Sequence, residues 1–139
     1  MLDHKFFLAV VDDFTRYTWI FPMHNKFEFR ANVTNFITYV ENQFSTKVKI
    51  IRTDNEFEFS MHDFFASKGI IHQTTCIETP EKNDIVERKH QQLLNITRNL
   101  LFQSNVPDVF WCFVVQHAAC LINCMPTSLI NNVTPYEKL

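Results

Sequence analysis

Two carboxylates stand where chemistry could be done. Asp54 comes just after "VKIIR" (48–52), past the C-terminal end of a run that reads as a buried strand, where open α/β sheets bind their ligands. Glu87 lies 33 positions later, within "TPEKNDIVERKH" (79–90), in the first turn of a helix. A carboxylate at a strand end and another from a facing helix supply the anionic oxygens that Mg²⁺ requires. Two such ions about 4 Å apart would clamp the attacking and leaving oxygens of a phosphoryl transfer, in a site of about three carboxylates. Plainer readings compete. Asp54 also fits an Asx turn that ends a strand. Glu87 also fits the N3 acid of a helix capped by Asp84. Spacing alone leaves both choices open.

Other candidates are weaker. His117, Cys120 and Cys124 share one predicted helix at near-helical spacing, but structural zinc needs four converging ligands, so they read as core residues. Asp12 and Asp13 follow an apolar strand and read as hairpin residues. Lys82, Arg88 and Lys89 flank Glu87 and serve either as phosphate contacts or as an ordinary solvated helix face.

The elements that must position these groups follow from periodicity. "FFLAVV" (6–11) reads as a strand, "DDFTR" as a turn and "YTWIF" (17–21) as a second strand. Phe29, Val33, Phe36, Ile37, Val40 and Phe44 recur at helical spacing. After the strand at 48–52, Ser60 with Asp63 resembles a capping pair opening "MHDFFASK", and Gly69 marks the stop. "IIHQT" (70–74) is a further strand. A long helix carries Val86, Leu93, Leu94, Thr97, Leu100 and Leu101 on one face. A last one, about 108 to 124, carries Trp111, Val114, Ala118, Leu121 and Ile122 and stops before Pro126. This order gives one α/β domain over 1–139, with helices covering a mixed sheet.

Bulk properties agree. The 139 residues are 46% hydrophobic with 15 Phe, enough to bury a core. A net charge of −2 confines any polyanion binding to a local patch. No apolar run reaches membrane-span length, so no membrane partner is expected. The four cysteines read as reduced thiols. Gly69 is the only glycine, so left-handed backbone positions must fall to less suitable residues.

Five stretches in order, "FFLAVVDDFTRYTWIFPM", "IIRTDNEFEF", "KGIIHQT", "ETPEKNDIVERKHQQLLN" and "LINCMPTSLINNVTPYE", resemble the integrase catalytic core of copia-type retrotransposons. The resemblance implies a ribonuclease-H-like α/β fold, a mixed sheet flanked by helices, and a D,D,E triad holding two Mg²⁺ ions. It implies nucleic-acid binding and DNA integration by metal-dependent phosphodiester transesterification, on retrotransposon ends and target DNA. Asp54 then matches the second Asp and Glu87 the Glu, both catalytic and metal-ligating, with Mg²⁺ or Mn²⁺ as cofactor of any retained activity. Asn55, Lys82, Asn83, Arg88, Lys89 and Gln91 become DNA-binding positions. Homo-oligomerisation and a nuclear location follow from the same analogy.

The departures carry their own expectations. The family's first Asp lies on a central strand upstream of "VDDFTRY" and finds no counterpart here, so the core is expected to be incomplete at its N-terminus and inactive as this chain. The alternative is a non-catalytic DNA- or protein-binding module derived from an integrase. The family's Gly after "DN" is Glu56, and the Gly before the Glu87 helix is Asp84. Both put negative charge beside a site that would admit DNA. Without the central strand, the flanking strands should either pair with each other or leave the sheet split.

Overall fold

A computed structural model describes residues 3–54, 58–74 and 84–139. The chain divides into two compact units, Met1–Lys26 with Val86–Leu139, and Phe27–Ile85.

The first unit is organised around a hairpin. β1 (Phe6–Val11) and β2 (Thr18–Met23) pair antiparallel in a register running from Phe6↔Met23 to Val11↔Thr18. The turn is closed by Asp12, whose Oδ2 accepts from the Thr15 amide at 2.8 Å and its hydroxyl at 2.6 Å. Arg16 then adopts φ 63° and donates its amide to the Asp12 carbonyl at 2.8 Å. The scarcity of glycine has its consequence here: a residue with a Cβ occupies the left-handed position, held there by the turn's own bonds. Ser45, Asn105, Asn131 and Asn132 take the same region elsewhere.

α3 (Asp84–Ser104) and α4 (Trp111–Asn123) cover this hairpin. Their shared core is Leu93, Val115, Ala118, Ala119 and Ile122, with Phe7, Ile20, Ile96, Leu100 and Trp111 packed around it. The paired alanines let the helix backbone approach the sheet closely. Asn123 fastens it. Its Oδ1 accepts from the Thr18 amide at 2.9 Å and its Nδ2 donates to the Thr18 carbonyl at 2.8 Å, both residues buried. Thr18 therefore turns its peptide groups away from β1. By the strand's two-residue period Pro22 faces the same way, and it has no N–H to offer on that outer edge.

The expected last helix is split in two. A 3-10 turn, Asp108–Phe110, follows Pro107 and hands over to α4 at Trp111. Thr127 bridges Val133 across another 3-10 turn, and α5 (Pro135–Lys138) closes the chain with a capping box.

The second unit holds α1 (Glu28–Phe44), β3 (Ile50–Thr53), α2 (Glu58–Ser67) and β4 (Ile71–Thr74). α1 buries Phe29, Val33 and Ile37, as its spacing predicts. β3 and β4 pair in parallel, Ile50↔Ile71 to Thr53↔Thr74, which requires the crossover that α2 supplies. The capping expectation at Ser60 is corrected, because α2 is already running from Glu58 and Ser60 lies inside it. Gly69 behaves as expected: at φ 70° it lets the Ile70 amide reach back to the Phe65 carbonyl at 2.9 Å.

Among the described residues the strands form two separate two-stranded sheets, β1–β2 and β3–β4.

Candidate metal and nucleic-acid site

Asp54 sits one residue past β3, exposed. The strand end before it is held by side chains as well as by the ladder. Arg52 Nε donates to Gln73 Oε1 at 3.2 Å, and Thr53 Oγ1 shares a hydrogen bond with His72 Nε2 at 2.8 Å. The His72 ring lies 4.9 Å from that of Phe65, which is 1% exposed and anchors α2. Nothing in the sequence pattern singled out Thr53 or His72, since the partnership depends on parallel register between strands far apart in the chain.

Glu87 projects from the first turn of α3, also exposed. Asp84 is the first residue of that helix. Arg88 and Gln91 are exposed, whereas Lys89 is half-buried. Burial, and after it the positive charge of Arg16, hold the Lys89 ammonium below its ordinary value. The start of α3 is seated on β1 by His90, whose ring stacks on Phe7 at 5.4 Å. Asn55, Lys82 and Asn83 lie outside the described residues.

Asp54 thus belongs to one unit and Glu87 to the other. Each offers what a hard divalent cation binds, a solvated carboxylate at the end of a regular element. Among the described residues, no three His, Cys, Asp or Glu side chains group as a metal site. Asp12 and Asp13 are engaged in the hairpin, Asp12 with Thr15 and Asp13 with Arg16 at 3.2 Å.

The reading of His117, Cys120 and Cys124 as core residues is corrected. All three are exposed, because the buried stripe of α4 runs through Cys112, Val115, Ala118, Ala119 and Ile122 instead. Cys120 and Cys124 line an open groove with Tyr17, Trp19, Gln116 and Tyr136. The cysteines described, at 112, 120 and 124, are free thiols. No described helix is long and apolar enough to cross a membrane.

No family model matches the chain. It is 35% identical over 138 residues to the retrovirus-related Pol polyprotein from transposon RE2 of Arabidopsis thaliana, covering 99% of this chain and 10% of that protein. The corresponding polyprotein from transposon RE1, also of Arabidopsis thaliana, is 33% identical over 99% of the chain and 9% of its own length. That from transposon TNT 1-94 of Nicotiana tabacum is 31% identical over 89% and 10%. The chain spans about a tenth of the length of these relatives.

Among solved structures, the HTLV-2 integrase catalytic core domain in complex with magnesium, in its trimeric form, superposes with TM-score 0.67 at 18% identity. The match covers 95% of this chain and 82% of that one. The simian T-cell lymphotropic virus intasome in complex with PP2A regulatory subunit B56 gamma gives TM-score 0.70 at 19% identity, over 94% and 46%. By sequence the chain is a homologue of copia-type retrotransposon Pol polyproteins, and by fold it is a ribonuclease-H-like α/β domain of the retroviral integrase catalytic-core kind.

Proposed function

We propose that the chain derives its function from DNA integration: it binds nucleic acid and carries two of the carboxylates of a metal-dependent phosphodiester transesterification. The observation that carries this reading is positional. In a chain homologous to these Pol polyproteins over nearly its full length, the solvated carboxylates Asp54 and Glu87 stand at a strand end and in a helix first turn. Asp54 and Glu87 would hold Mg²⁺ or Mn²⁺, whose part in such chemistry is to polarise the phosphodiester and stabilise the charge that develops on its oxygens. Arg88 and Gln91, exposed on the same helix as Glu87, would meet phosphate oxygens. Two carboxylates without a third bind a divalent ion weakly, so the chain by itself is proposed to be catalytically silent. Self-association and a nuclear location remain part of this reading by analogy.

Binding to short DNA duplexes, followed by fluorescence anisotropy across a salt series, tests the nucleic-acid half. The expectation is sequence-insensitive binding whose log–log salt slope is small, about −2 for two phosphate contacts. Arg88→Ala should reduce that slope by about one unit, and Lys89→Ala by less, since Lys89 is half-buried. Absence of DNA binding at low salt would favour the alternative, a protein-binding module descended from an integrase. Tight binding to one sequence that resists salt would overturn the patch assignment.

A further inference from the structure

We infer that His72 is a positioning residue for Asp54, acting through the Thr53 hydroxyl. The inference rests on the reading of Asp54 as a metal-ligand position and adds the group that aims it.

β3 is four residues long and Thr53 is its last. In the parallel register His72 stands beside Ile51, and Thr53 beside Thr74. Residues two apart on a strand share a face, so Thr53 and His72 are diagonal neighbours on one side of the sheet. That side is the covered one: Ile51 and Thr53 are half-buried where Ile50 and Arg52 are exposed. The diagonal is bridged by the 2.8 Å hydrogen bond between Thr53 Oγ1 and His72 Nε2.

The imidazole is itself held in place. Its ring lies 4.9 Å from Phe65, a fully buried residue of α2, and 6.2 Å from the ring of His62 on the same helix. A line of contacts therefore runs from the core of this unit, through the His72 ring, to the last side chain of β3. Thr is β-branched, with few χ1 states, so fixing its hydroxyl also fixes the backbone from which the next residue departs. The next residue is Asp54, which by alternation leaves the opposite, solvated face. Packing alone would be met by an apolar side chain here. A hydrogen-bonding ring against a hydroxyl instead specifies the direction of the strand's last residue.

The test uses the full 139-residue chain, with Mn²⁺ as probe and paramagnetic broadening of the Asp54 amide resonance as readout. Thr53→Val removes the hydroxyl but keeps the β-branch. His72→Leu removes the ring nitrogens, and His72→Gln keeps a polar atom near the place of Nε2. Loss of one neutral hydrogen bond predicts Mn²⁺ affinity about three- to tenfold weaker in Thr53→Val and in His72→Leu. The double variant should be no weaker than the poorer single one, because both remove the same interaction. His72→Gln should recover most of the affinity.

Unchanged affinity in the single variants, or losses that multiply in the double one, would overturn the positioning role. Broadening that persists in Asp54→Asn would instead remove the metal-ligand reading on which it stands.

Discussion

One side chain, Asn123, satisfies both outward backbone groups of Thr18. The pair is buried and 105 residues apart in sequence, so no local pattern announces it. Asn123→Ala should therefore cost about 1–3 kcal/mol, the penalty for leaving buried peptide groups unpaired, measured as a lowered denaturation midpoint. An unchanged midpoint would mean that water replaces the amide. Lys89 makes a second residue-scale prediction. Its charged form is disfavoured in the folded chain by burial and then by Arg16, so its folded value lies below the ordinary 10.5. Between those two values the unfolded chain holds the extra proton. Stability should thus rise as pH climbs through the folded value toward 10.5 and gain nothing further from this group above it. Lys89→Met should flatten that rise and stabilise the chain at neutral pH; an identical pH profile would refute the assignment. The strand-end place of Asp54 and the helix-start place of Glu87 are legible in the sequence, but the half-burial of Lys89 is not. Burial is a product of tertiary packing, and the Arg16 charge that adds to its effect comes from the hairpin turn, far away in the chain.

At the scale of elements, periodicity located the strands and long helices because each has one buried face. α1 follows its apolar spacing closely, whereas the buried face of α4 keeps only Ala118 and Ile122 of its expected set: Leu121 is exposed, and Cys112, Val115 and Ala119 are buried instead. The misses have physical causes. α2 starts earlier than Ser60 because a Ser–Asp pair resembles a cap whether or not the chain upstream is already helical. The exposed Cys120 and Cys124 were misplaced because cysteine is so often buried that its type outweighed its position on the helix. The C-terminal "TPYE" has a structural account of its own. Thr134 Oγ1 accepts from the Glu137 amide at 3.1 Å, while Glu137 Oε2 accepts from the Thr134 amide at 3.0 Å, with Pro135 at the first helical position. The Thr134 amide, and then its hydroxyl, lower the Glu137 carboxyl below its ordinary value. A lowered carboxyl stabilises above its unfolded value and loses that contribution as pH falls through the folded one. Thr134→Ala, which keeps the amide but removes the hydroxyl, should weaken this acid sensitivity and speed amide exchange in α5, whereas Thr134→Ser should leave both unchanged. Equal exchange in all three chains would show that the box does not hold the helix.

For the whole molecule, what the sequence could not display is how its strands distribute between sheets. Alternation says which face of a strand is buried, but it does not say which strand lies beside it. Leu93, Val115 and Ile122 are buried in one unit and Ile37, Met61 and Phe65 in the other, and the described strands form two two-stranded sheets. The central claim, that Asp54 and Glu87 are two carboxylates of an integrase-type site, is tested most directly by supplying the third. The upstream strand of a homologous Pol polyprotein, with its Asp, would be joined to the chain and assayed for joining of labelled DNA ends to a target duplex in Mn²⁺. The extended chain should join DNA and lose that activity with Asp54→Asn or Glu87→Gln, while the 139-residue chain alone should not join it. Joining that survives either substitution, or that the 139-residue chain performs unaided, would contradict the account.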